Sequence, residues 1–128
     1  MTAHLYLSME KAIGYLGDAN SAHQLLGSLN HTLLTDGPVI ANAIQTRNFE
    51  VLQKIWHQLK GFAPVFCQDA LVAEIMVTEG LCRQVNSGQE QAAALFASQQ
   101  LHANLQALQV EACAQILQTA GTTKPPST

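Results

Sequence analysis

Within the stretch Trp56-His57-Gln58-Leu59-Lys60-Gly61, a histidine, a lysine and a glycine lie within about one helical turn, an arrangement suited to chemistry on an anion. Apolar residues at Phe49, Leu52, Trp56, Leu59, Ala63 and Phe66 recur in steps of three and four, the period of one buried helix face. At roughly 100° per residue His57 is rotated off that stripe. Gly61 lies one turn along on the same side, and Lys60 is the i+3 neighbour. A neutral imidazole is a competent nucleophile near neutral pH because its ordinary pKa is about 6.5. A lysine beside it supplies charge for the oxygens of a transferred group. Glycine inside a helix costs about 1 kcal/mol relative to alanine, so its use here points to a need for space next to the imidazole. The plain alternative is that His57 and Lys60 are solvated side chains on a polar face.

The bulk numbers narrow the setting for this chemistry. A chain of 128 residues is one domain with enough length for a core of its own. Hydrophobic residues make up 48%, yet no apolar run approaches the roughly 18 residues that span a bilayer. The N-terminus has no basic stretch leading into an apolar block, so the expectation is a soluble, cytoplasmic protein without membrane contact. A net charge of −3 with only six scattered Lys and Arg argues against nucleic acid, which needs a clustered basic face. The three cysteines, Cys67, Cys82 and Cys113, are widely spaced and fall on or near apolar stripes, which predicts buried, reduced thiols. His23 and His31 could share a helix face but have no further ligands at metal-site spacing, and read as ordinary helix residues.

The elements that must position His57 are all helical. Ser8 can cap a short helix to Leu16, ended by Gly17. Ser21 with Gln24 forms a capping-box pattern before a longer helix with Leu26, Leu29 and Leu33 on one side. Gly37-Pro38 interrupts it, but the stripe continues in phase to Ile40 and Ala43. This predicts a kinked helix or two nearly collinear pieces, the second capped by Asp36. Asn48 can cap the helix that carries His57, and Pro64 predicts a bend or an end near residues 64–67. Asp69 opens a helix with Leu71, Ile75, Cys82 and Val85 inward. Ser87 with Glu90 opens a last, long helix through Leu95, Leu101, Leu105, Leu108, Ala112 and Ile116, stopped by Gly121. The Pro/Ser/Thr-rich residues 122–128 read as a disordered tail or linker remnant, leaving residues 1–121 as the domain. The predicted class is all-α: an antiparallel up-down four-helix bundle with a short N-terminal capping helix, short loops making sequential helices neighbours.

These segments together resemble the histidine-containing phosphotransfer (HPt) domain family over nearly the whole folded length. Leu7-Ser8-Met9-Glu10-Lys11-Ala12-Ile13-Gly14-Tyr15-Leu16-Gly17-Asp18 looks like the family's short first helix with its Gly-Asp exit. Arg47-Asn48-Phe49-Glu50-Val51-Leu52 resembles the polar turn before the active histidine. His57-Gln58-Leu59-Lys60-Gly61, with Ala63 and Leu71 at matching offsets, is similar to the core motif His-x-Leu-Lys-Gly. The resemblance implies a relay in which His57 takes a phosphoryl group from the phospho-aspartate of one receiver domain and passes it to another. Lys60 would steer or hold the phosphoryl oxygens, and Gly61 would let the receiver's acidic pocket close over His57. Gln58, Phe62 and Lys54 would line the partner contact. The implied partners are receiver domains of response regulators or hybrid sensor kinases, met by a monomer with no autokinase activity. No cofactor is implied for this chain. Magnesium belongs to the receiver, since no carboxylate cluster lies near His57 in sequence. The chain departs from the family pattern at Phe62, Pro64 and Cys67, and at Trp56 where a small residue is common. Phe62 could face a receiver as an apolar anchor or turn inward. These departures leave a second function in view, a module that binds receivers without accepting phosphate.

Overall fold

The computed structural model describes residues 6–123, with side chains described to residue 117, and these residues form five helices. The helices are α1 (Met9–Leu16), α2 (Ala19–Thr46), α3 (Phe49–Phe66), α4 (Asp69–Arg83) and α5 (Gly88–Thr123). The fold is all-α. The one β-type pairing among the described residues is an isolated bridge between Leu7 and Cys67.

Short polar sequences set the helix starts. Ser8 caps α1 by accepting from the Lys11 N–H, and Gly17 closes it at φ 90°, a left-handed conformation that suits a residue without Cβ. Asn48 caps α3 through the Val51 N–H. Ser87 and Glu90 form the reciprocal box at the start of α5: the Glu90 N–H donates to Ser87 Oγ at 3.2 Å, and the Ser87 N–H to Glu90 Oε1 at 3.0 Å.

Three sequence expectations need correction. Helix α2 opens at Ala19, ahead of Ser21, because the Asp18 carboxylate receives the Ser21 N–H at 2.7 Å and is the better cap. Asp36 caps nothing, since α2 runs unbroken through Gly37 and Pro38 for 28 residues. The core contacts of Leu33, Ile40 and Ala43 on either side outweigh the hydrogen bond that proline removes. Gly121 does not stop α5, which continues to Thr123, so Thr122 and Thr123 are helical. The remaining tail positions, 124–128, lie outside the described residues.

Packing follows chain order and then closes: α2 meets α3, α3 meets α4, α4 meets α5, and α5 returns to α2. Helix α1 sits over α2 and α3. The core is a continuous set that includes Leu26, Leu52, Trp56, Phe66, Leu71, Ile75, Leu101 and Leu108, each at most 2% exposed. In the first turns of α5 the buried residues are Ala94 and Ser98, while Leu95 is only half-buried. Residues 6–8 are strapped to the α3–α4 turn. The Ser8 N–H donates to the Phe66 carbonyl and the Gln68 N–H to the Tyr6 carbonyl, while Lys11 Nζ reaches the Cys67 carbonyl at 2.8 Å. Glu111 of α5 accepts the Tyr6 and Leu7 N–H groups at 3.0 and 2.9 Å. These bonds fix the far end of α3 against the first helix. No helix of the described residues is long and apolar enough to cross a membrane.

Candidate functional site

Helix α3 holds His57 rigidly because the residues behind it are fully buried. Leu52, Ile55, Trp56, Leu59 and Ala63 face the core. Trp56, directly before the histidine, is 0% exposed and donates its indole N–H to Ser98 Oγ at 3.4 Å, and the same hydroxyl meets Cys82 Sγ at 3.5 Å. The large indole therefore fills the interior and leaves the histidine ring uncovered, with its side chain 64% exposed. Lys54, Gln58 and Gly61 are exposed with it. These positions are spaced i, i+3, i+4 and i+7, which places them along one outward stripe.

The imidazole stands above a buried carboxylate that sequence reading missed. Glu79 of α4 has a side chain only 2% exposed, and its Oε2 lies 3.7 Å from His57 Nδ1. The two carboxylate oxygens have separate tasks. Oε1 accepts from Lys60 Nζ at 3.1 Å and from the Arg83 guanidinium, while Oε2 accepts from Gln53 Nε2 at 2.7 Å and turns toward the histidine. The hydrogen bond from Arg83 is the largest influence on Glu79. With Gln53 and Lys60 it holds the carboxyl at a pKa of about 2, although burial works in the opposite direction. Glu79 is thus anionic at any physiological pH, and Arg83 is held more firmly protonated in return. A signal for Glu79 was present in the sequence. It shares the buried stripe of Leu71, Ile75 and Cys82, where an acidic residue is retained only with partners, and Arg83 stands one turn on.

The other candidate residues divide. His57, Lys60 and Gly61 are brought together as the spacing predicts, but Lys60 is not a free surface ammonium, since its charge faces Glu79. Gly61 is open: a Cβ built there meets nothing within 4 Å, so no internal contact demands glycine. Phe62 is half-buried and packed on the core. It lines a groove of about 210 Å³ with Leu25, Ser28, Leu29, Thr32 and Phe66, on the α2 side of α3. It therefore packs partly inward while still lining an open groove on the surface. A cleft of about 420 Å³ lies between α2 and α5 around Leu34, Pro38 and His102, and contains none of the candidate residues.

Cys67 and Cys82 are buried free thiols and Cys113 is half-buried. Burial pushes the Cys67 thiol up to about 12, leaving it without nucleophilic character. The described residues hold no group of three His, Cys, Asp or Glu side chains placed to share a metal ion. Two cations against one carboxylate leave a single net positive charge beneath the imidazole, with Lys54 adding to it on the same face. Such a site offers a fixed, water-exposed nitrogen nucleophile over a positive background. No family model, curated protein or solved structure matches this chain.

Proposed function

We propose that this chain is a phosphotransfer domain of the HPt type. In this reading α2 to α5 form an antiparallel four-helix bundle capped by α1, working in the cytoplasm as a monomer and relaying phosphoryl groups between receiver domains through His57. The observation that carries this reading is the pose of the histidine. Its Nδ1 lies 3.7 Å from the Glu79 carboxylate while the side chain as a whole is 64% exposed, so Nε2 is the nitrogen we assign to the partner. A proton on Nδ1 is favoured by the anion beside it, which leaves the lone pair on Nε2. At 3.7 Å the Nδ1–Glu79 approach is longer than a hydrogen bond, and such contacts in unliganded sites tighten when the reacting complex forms.

Transfer then follows from placement. The Nε2 lone pair attacks the phosphorus of a receiver's phospho-aspartate. The P–O bond to the aspartyl carboxylate breaks, with its electron pair returning to that oxygen, and the P–Nε2 bond forms. The ring emerges as a phosphorylated imidazole that keeps its Nδ1 proton over Glu79. Because phosphoryl transfer asks mainly for alignment and charge stabilisation, the rigid face of α3 supplies the former, and Lys60 with Arg83 supplies part of the latter. The magnesium used in such a transfer is assigned to the receiver. Exposed Gly61 lets the receiver's surface approach the ring.

The test is to mix the protein with a phosphorylated receiver and magnesium and follow label. Label on the wild type and none on His57→Gln supports the relay. A tight complex without label would favour a receiver-binding module instead, and neither complex nor label would refute both.

A further inference from the structure

We propose that Glu79 sets the lifetime of phosphohistidine at position 57, making it a labile donor and not a phosphate store. This deepens the phosphotransfer reading and rests on it. The Glu79 carboxylate is divided between its partners. Gln53 pins Oε2 at 2.7 Å, while Lys60 and Arg83 hold Oε1, so the carboxylate cannot turn away from the ring. The charged groups around His57 are then Glu79 and Arg83 from α4 and Lys54 and Lys60 from α3, with Glu79 the group facing Nδ1.

For a phosphoryl group on Nε2 to leave, a nucleophilic oxygen attacks phosphorus and the P–Nε2 bond breaks, its electron pair passing to Nε2. With Nδ1 protonated the leaving group is neutral imidazole; without that proton it is imidazolide, a far poorer leaving group. When the attacking oxygen belongs to water, the products are inorganic phosphate and the neutral ring, and the proton from water ends on phosphate. An anion fixed 3.7 Å from Nδ1 stabilises the protonated phosphoimidazole, and so favours departure. Glu79 touches the ring edge and not the phosphoryl group, so it acts as a positioning residue.

The experiment labels the protein without any receiver, using phosphoramidate, which gives its phosphoryl group to histidine and releases ammonia. Wild type, His57→Gln, Glu79→Gln and Glu79→Asp are compared. Label lost in His57→Gln identifies the site, and decay of that label gives the half-life. The expected result is a half-life about tenfold longer in Glu79→Gln, a change of about 1.4 kcal/mol in the barrier to loss, with Glu79→Asp closer to wild type. A half-life in Glu79→Gln within threefold of wild type overturns the inference. A second readout needs no phosphate. The side-chain nitrogen spectrum of unphosphorylated His57 should show the proton on Nδ1 in wild type and a mixture of tautomers in Glu79→Gln; a proton on Nε2 in wild type also overturns it. Should wild type take no label at position 57, the phosphotransfer reading fails first and this inference falls with it, whereas label with an unchanged half-life removes only the role of Glu79.

Discussion

Acid should uncouple Glu79 from the cations that hold it. Its folded pKa of about 2 lies below the ordinary 4.5, chiefly through Arg83; the carboxylate is buried but that guanidinium is 55% exposed, so water screens part of what the shift contributes to stability. A group whose folded pKa is depressed stabilises the native state above its unfolded pKa and loses that contribution as pH falls toward the folded value. The contribution of Glu79 at pH 7 is at most about 3 kcal/mol, and most of it disappears between pH 7 and pH 2.5. Asp18 and Asp69 also have lowered values but are exposed, and they remain in both members of the comparison, so they cancel. The assay is urea unfolding of wild type and Glu79→Gln at a series of pH values, with the difference between the two plotted against pH. Wild type should exceed the variant at neutral pH, and most of the gap should close on acidification to pH 2.5. Parallel curves, with a gap constant to about 0.5 kcal/mol, would refute the claim that the Arg83–Glu79–Lys60 cluster is a coupled ionic unit.

Further outcomes follow from the same structure. Gly61→Ala should raise stability by about 1 kcal/mol in thermal or urea unfolding, because the added Cβ is unobstructed and alanine favours the helix. Gly61→Leu should slow transfer from a receiver at least several-fold while leaving phosphoramidate labelling unchanged, since only the receiver needs the space. Leu101→Ala, at a site 0% exposed, should cost about 2–5 kcal/mol in urea unfolding. In the native protein at pH 8, alkylation followed by mass spectrometry should modify Cys113 while sparing Cys67 and Cys82, both buried and with raised pKa values.

The helices were legible where apolar periodicity and caps agreed. On α3 the stripe from Leu52 to Phe66 lies in the core, and Asn48 caps the helix. Periodicity also carried α2 correctly through Gly37-Pro38, whereas capping-box spacing at Ser21 misplaced its start because Asp18, three positions earlier, caps the helix first by accepting the Ser21 N–H. The end of α5 was misread because a single glycine weakens a helix without ending it. At the site, the exposure of His57 and Gly61 could be read from one helix alone, since rotation off the stripe is a local property. The contacts made by Glu79 and Gln53 could not. They depend on α3 and α4 packing in one register, and pairing between helices is not written in the period of either. The same limit applies to Lys60, whose spacing places it near His57 but whose ammonium is drawn to a carboxylate on the neighbouring helix. Phe62 was ambiguous for a related reason, as its position between the buried and exposed arcs is resolved only by the groove that α2 provides.

Return of the phosphoryl group from the purified protein is the most direct test of a relay. Protein carrying label on His57, freed of its donor, would be mixed with a second, unphosphorylated receiver and magnesium. The account predicts that label leaves His57 and appears on the receiver aspartate, and that no label reaches that receiver through His57→Gln. Label that stays on His57 or passes only to water, with the receiver remaining unmodified, would contradict it.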